Sequence, residues 1–437
     1  MSRFTRPGRA IALALGLALS TPVAGTAQEI AGAGPEHMED SAITYHGRVA
    51  GILREHCVAC HNENGIAPFP LTTYEETRRR IGRIRRAIEG RRMPPWFANP
   101  EYGVWRNDRR LPESDRRDLL AWIEADAPEG SGPSTSPGTA VARHAAGEDP
   151  SGGWMLGRAP DTVVVLPEVM EIPAEGVIPY QYLFVKTEYA EDRWLEALEL
   201  RPTAREVVHH TAAFLQGPDD VQRGPYLTLW TGRTQPTVYP EGVAKRLPAG
   251  AWIMFEVHYS PNGDPTTDRT ELGLVFADAP PEREASTLAV ATREFIIPPH
   301  VDDHPVIAEL PFWRGGEILS LLPHMHRRGT AFRYELERPD GSVEVLLDVP
   351  RYDFRWQLSY EFATPLRVEA GDTLRAWAWY DNSAGNPHNP DPDAIVRHGP
   401  QDFEEMMAGF FEWVGDPVDV NVGAPLILVP DTIPRRR

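Results

Sequence analysis

Cysteine occurs in one place only, the run Cys57-Val58-Ala59-Cys60-His61. Two thiols at that spacing form thioethers with the vinyl groups of a haem, and the histidine that follows ligates its iron from one side. A Cys57–Cys60 disulfide is the bland alternative, against which the adjacent histidine argues. Downstream, Arg91-Arg92-Met93-Pro94-Pro95-Trp96 offers Met93 for the opposite side of the iron. A thioether there raises the haem potential and suits passing single electrons. Met93 as a packing residue and His56 as a competing ligand both stay open.

The histidines of the second half fall into three groups: His209-His210, His258 in Glu256-Val257-His258-Tyr259, and His324-Met325-His326. On a strand, residues i and i+2 share a face, so His324 and His326 can converge on one ion. Adjacent His209 and His210 point apart on a regular strand and need a bulge or a strand end to cooperate. Imidazoles suit zinc, copper, nickel and iron, and a thioether favours Cu(I). With no cysteine to spare and no acidic triad alongside, the three groups tilt toward copper.

Two kinds of element have to position these residues. Residues 45–53 read as a helix leading into the haem motif. Ser114 can cap a closing amphipathic helix that contains Leu119, Leu120, Trp122 and Ile123. A helix, the motif, further helices and a methionine in a Pro-rich turn resemble class I cytochromes c. Between them Arg78, Arg79, Arg80, Arg83, Arg85, Arg86, Arg91 and Arg92 form a basic stretch. It reads as a solvated helix face or as a docking patch for an acidic redox partner. Residues 131–160 are rich in Gly, Ser, Pro and Ala and read as a flexible linker. Beyond them come short alternating apolar runs broken by Pro, Gly and Asp, the pattern of β-sandwiches. The expectation is a multidomain chain. A small all-α cytochrome c-like haem domain (36–130) precedes two all-β antiparallel, jelly-roll-like sandwiches (161–298 and 299–437).

Composition bounds the rest. The chain has 437 residues, 43 of them proline, and a formal charge of -19, which argues against nucleic acid as a partner. Arg3, Arg6 and Arg9 precede a short apolar run and a small-residue exit, so residues 1–27 read as a signal peptide. The run falls short of the ~20 residues that span a bilayer; a retained anchor is the alternative. A periplasmic or secreted, disulfide-free protein without stable membrane insertion is expected.

The order His-His, Val-His-Tyr, His-x-His and then Glu404-Glu405-Met406 resembles the copper type II, ascorbate-dependent monooxygenases. That family includes dopamine β-hydroxylase and peptidylglycine α-hydroxylating monooxygenase. Val238-Tyr239-Pro240-Glu241-Gly242, Tyr352-Asp353-Phe354-Arg355-Trp356-Gln357 and Ala370-Gly371-Asp372 belong to the same likeness. It implies two copper ions. His209, His210 and His258 would hold an electron-transfer copper. His324, His326 and Met406, with Met407 as the near alternative, would hold the oxygen-activating copper. Where peptide-amidating members carry Arg, Asn and Tyr, this chain has Leu322, Ala408 and Phe410, so peptide-carboxylate binding is not expected. His388 and His398 could line the pocket, and both are expected at the surface.

The expected activity is hydroxylation of a C–H bond of a small organic substrate by O2. Electrons would arrive through the single covalent haem c from a donor protein, or from ascorbate. The rival reading is a non-catalytic haem–copper electron-transfer or copper-binding protein. An open coordination position at His324, His326 and Met406 separates the two.

Overall fold

A computed structural model describes residues 43–62, 67–131, 153–220, 224–231 and 236–417. The expected signal peptide and residues 132–152 of the expected linker lie outside the described residues.

Alternation dictates most of the strands. In Thr373–Tyr380 the residues Leu374, Ala376, Ala378 and Tyr380 are buried while those between them are half-exposed, the period of a strand with one face on a core. Among the described residues three large sheets result, beside two short two-stranded ones. The largest has nine strands. Along its main path they run Thr162–Val165, Glu271–Phe276, Arg193–Arg201, Val243–Leu247, Arg283–Thr292, Met407–Gly415, Gly316–His324 and Tyr360–Val368. A four-stranded sheet, Gln181–Lys186, Trp252–Tyr259, Val208–Leu215 and Tyr226–Trp230, covers one end of it. The core between them holds Leu198, Leu272, Phe255 and Ile253. A second four-stranded sheet, His304–Pro311, Thr373–Tyr380, Gly329–Glu337 and Val343–Val349, covers the other end over Ile318, Phe411, Phe332 and Tyr334.

The helical part is small. A π-helical turn (Tyr45–Val49) runs into α1 (Ala50–His56), followed by α2 (Tyr74–Glu89) and α3 (Glu113–Glu124). Thr73 and Glu76 close a reciprocal capping box at the start of α2, satisfying N–H groups that the first turn leaves without partners. Tyr45, Ile52, Leu53, Ile84, Leu119 and Trp122 pack together between these elements.

The expected fold class is corrected on three points. Strand accounts for 39% of the chain against three short α-helices, and the described residues contain no free-standing all-α cytochrome c domain. The physical reason lies after α2. Trp96 and Trp105 are buried in the core of the C-terminal sheets rather than among the helices. Their rings lie 4.8 and 5.6 Å from Tyr360, tilted edge to face. Asn99 Nδ2 donates to Asp348 (3.0 Å), Arg106 pairs with Glu361, and Trp105 bridges to Phe362 as an added strand residue. Second, the two expected sandwiches share one continuous sheet, and the described residues form one unit. The Arg283–Thr292 strand joins them, pairing with Val243–Leu247 on one side and Met407–Gly415 on the other. Third, its pairing with Val243–Leu247 is parallel, so the sheet is not wholly antiparallel. Trp154, near the end of the expected linker, is buried with the Arg201 guanidinium over its ring.

Candidate metal centres

The Val208–Leu215 and Trp252–Tyr259 strands pair so that His210 lies opposite His258. The register slips between Val208 and His210. That bulge lets His209 turn to the same side as His210, which a regular strand forbids. The ligand atoms of His209, His210 and His258 all lie within 4.8 Å of one another. His209 Nδ1 faces His210 Nδ1 at 3.1 Å, and His258 Nδ1 is buried with no hydrogen-bond partner. Tyr180 stacks on His258 at 4.6 Å. His210 and His258 share their face with Ala212, Phe214 and Met254, which pack on Leu322 of the other half. The cluster therefore looks across the junction between the halves.

Burial sets its electrostatics. Desolvation, then the neighbouring His258, brings His209 down to about 4. Desolvation also pushes His210 well below the usual imidazole value, with His209 adding to it, and lowers His258. These rings stay neutral at pH 7, which keeps their lone pairs available to a cation.

The second group sits at the end of Gly316–His324. His324 Nδ1–H donates to Gln357 Oε1 at 2.7 Å, and the Gln357 main-chain carbonyl separately accepts from Thr231 Oγ1. His326 Nδ1–H donates to the Glu404 carbonyl at 3.3 Å. A carbonyl oxygen only accepts, so in both rings Nε2 is the nitrogen left to ligate. Desolvation first and His324 second bring His326 down to about 3. The turn between them is clamped. Tyr352 Oη accepts from Met325 N and donates to Met325 O. The buried Glu405 carboxylate accepts from His326 N (2.8 Å) and Arg328 N (2.7 Å). Burial raises the Glu405 carboxyl to about 8 against these donors.

Met406 is half-buried, just before Met407–Gly415, and its carbonyl accepts from Tyr380 Oη at 2.7 Å. The pairing of that strand with Gly316–His324 ends at His324↔Ala408, two residues short of Met406. Phe354 stands between the two groups, its ring 5.1 Å from His209 and 5.9 Å from His326.

In the Cys57–His61 motif, His61 N and Cys60 N both donate to the Cys57 carbonyl at the end of α1, folding it into one turn. Cys57 and Cys60 are half-buried and not disulfide-bonded. His61 Nδ1–H donates to the Phe69 carbonyl at 2.9 Å, which again leaves Nε2 to ligate. His56 is tied to Asp115 at 3.2 Å. Met93 is half-buried between the end of α2 and the Trp96 anchor. Of the loop histidines, His388 is exposed and His398 half-buried.

Sequence reasoning quoted Gln357, Phe354 and Glu405 within motifs without giving them roles. Each is a positioning group here, and the only signal was proximity to a histidine or methionine in the text. Tyr180 carried no signal at all.

No protein-family model matches the chain, and no curated protein matches it. Among solved structures, the major capsid protein P2 of bacteriophage PM2 is similar at 9% identity and TM-score 0.24, over 58% of this chain and 97% of that one. Allantoicase from Saccharomyces cerevisiae is similar at 10% identity and TM-score 0.18, over 57% of this chain and 81% of that one. Similarity at that level carries no argument about fold or function.

Proposed function

We propose that the chain is an exported copper monooxygenase that hydroxylates a small organic substrate and receives electrons through a covalently attached haem. The observation that carries this reading is the facing of the two histidine groups across one aromatic ring, Phe354. The donor sets fit the metals. A buried, unpartnered His258 Nδ1 and two facing histidine nitrogens ask for a cation. His324 and His326, completed by the Met406 thioether, would form a soft set that favours Cu(I). Cys57, Cys60 and His61 in one turn, with Nε2 directed by Phe69, fit a haem c. Copper bound at the two groups would supply one-electron storage and dioxygen activation, and haem a one-electron entry point.

The chain's own residues account for the rest. Gln357 and the Glu404 carbonyl hold the tautomers of His324 and His326. Glu405 and Tyr352 hold the backbone of the His-x-His turn. Tyr180 and Phe354 shield the first group from water on two sides. Leu322 and Phe410, paired on neighbouring strands beside His324, give the substrate side an apolar surface. The test is dioxygen uptake by copper-loaded, ascorbate-reduced protein against a panel of small aromatic and aliphatic C–H substrates. Substrate-dependent uptake that disappears in Met406→Ala supports the reading; uptake indifferent to substrate and to Met406 supports a non-catalytic copper protein instead.

A further inference from the structure

Helix α2 carries its arginines unevenly. Arg78 pairs with Asp126 just past α3, and Arg91, beyond the end of α2, pairs with Glu113. Arg79, Arg83 and Arg86 recur at i, i+4 and i+7, so they line one exposed face, with half-buried Arg80 beside them. None of these four has an acidic partner among the described residues. Like charges at that spacing repel one another and weaken a helix, so helix stability does not account for the face. The same face continues onto the Cys57–His61 motif. The guanidinium carbons of Arg80 and Arg83 lie 5.1 and 5.8 Å from the centre of the Phe69 ring. That ring lies 4.9 Å from the His61 ring, and the Phe69 carbonyl accepts from His61 Nδ1–H. Pro68 is exposed beside half-buried Ala67, Phe69 and Pro70. An apolar centre with a cationic rim therefore stands against the histidine side of the motif.

We propose that this face docks an acidic one-electron carrier protein, which hands its electron to the chain beside His61. The electron step rests on the haem proposed above; the docking does not. The chain's formal charge is -19, so a positive face is an exception on an acidic molecule. Opposite charge gathers and orients an acidic protein before contact, and it raises the association rate most at low salt. A long polyanion or a membrane would extend past the patch over acidic surface, whereas a compact protein covers the patch alone. The apolar centre lets water leave the contact nearest His61, and the charged rim keeps the interface small and reversible, as electron-transfer encounters are. In the electron step the carrier is oxidised by one electron and the haem reduced by one, with no covalent bond made or broken.

Flavodoxin, an acidic protein that carries one flavin, is the probe. Oxidised flavodoxin titrated into the full chain should bind at low salt and be released as salt rises. Arg79→Glu/Arg86→Glu, which deprives no acidic group of its partner and leaves the Phe69 contacts in place, should raise the dissociation constant on the order of tenfold. Arg80→Glu/Arg83→Glu should raise it at least as much. In the haem-bearing chain, anaerobic reduction by flavodoxin hydroquinone should slow by a like factor in both variants, while reduction by free reduced riboflavin keeps the parent rate. Absent association, association indifferent to salt, or an affinity that charge reversal leaves unchanged would overturn the proposal. Arginine-dependent capture by phosphatidylglycerol vesicles or single-stranded DNA, without capture of flavodoxin, would overturn it too. Salt-dependent docking on a chain that takes up no haem at Cys57 and Cys60 would count against the haem reading and leave the docking face standing.

Discussion

At the scale of single residues, the site works by spending one nitrogen of a histidine to aim the other. His324 commits Nδ1 to Gln357, His326 to the Glu404 carbonyl and His61 to the Phe69 carbonyl. Such partners fix both tautomer and ring orientation, and their loss typically costs on the order of 10–100-fold in metal affinity. Gln357→Ala should therefore weaken copper at His324 and His326 by that order. The His209, His210 and His258 site should keep its affinity, as a competitive chelator titration would read. Equal weakening at both sites would mean that Gln357 acts through the fold at large. The depressed histidines give a second expectation. In the unfolded chain an imidazole takes up a proton below about 6.5, whereas folded His209 refuses it down to about 4. Its contribution to stability is whole above pH 6.5 and drains away as the pH falls toward 4. The melting temperature of metal-free protein should fall across that window, and His209→Gln should flatten the fall. An unchanged fall in the variant would place the sensitivity elsewhere.

At the scale of elements, the stretch from Pro94 to Arg106 is a strap that binds the N-terminal helices to the second half. Burying an indole and setting it edge to face against Tyr360 makes each tryptophan a large local contributor. Trp105→Ala should cost about 3–5 kcal/mol and open the strap to proteases before the sheets unfold. Protease resistance equal to the parent would assign the anchoring to the Asn99 and Arg106 bonds instead. In the sequence this stretch is legible only as a Pro-rich turn around Met93. Tryptophans spaced nine apart among prolines obey neither the helical nor the strand period, so nothing local says what they pack on. By contrast, alternation announced the strands, and adjacent histidines required a bulge or a strand end, of which the register shows the bulge.

At the scale of the whole molecule, the single nine-stranded sheet joins two cores into one body. Sequence alone separated the two halves near residue 298, because the Arg283–Thr292 strand alternates like any other. Its double pairing, one side parallel to Val243–Leu247, is a long-range choice that periodicity does not encode. One histidine group lies on the four-stranded sheet over one core, and the other at the end of Gly316–His324 in the shared sheet. Across Phe354 they are held by the fold itself rather than by a hinge between separate domains.

The account stands on two separate copper sites, and the direct measurement is the copper content of reconstituted, extensively dialysed protein beside His210→Ala and Met406→Ala. The proposal expects about two copper ions per chain, with partial loss in each variant. Copper at background in the parent protein, or complete loss in either variant alone, would contradict it.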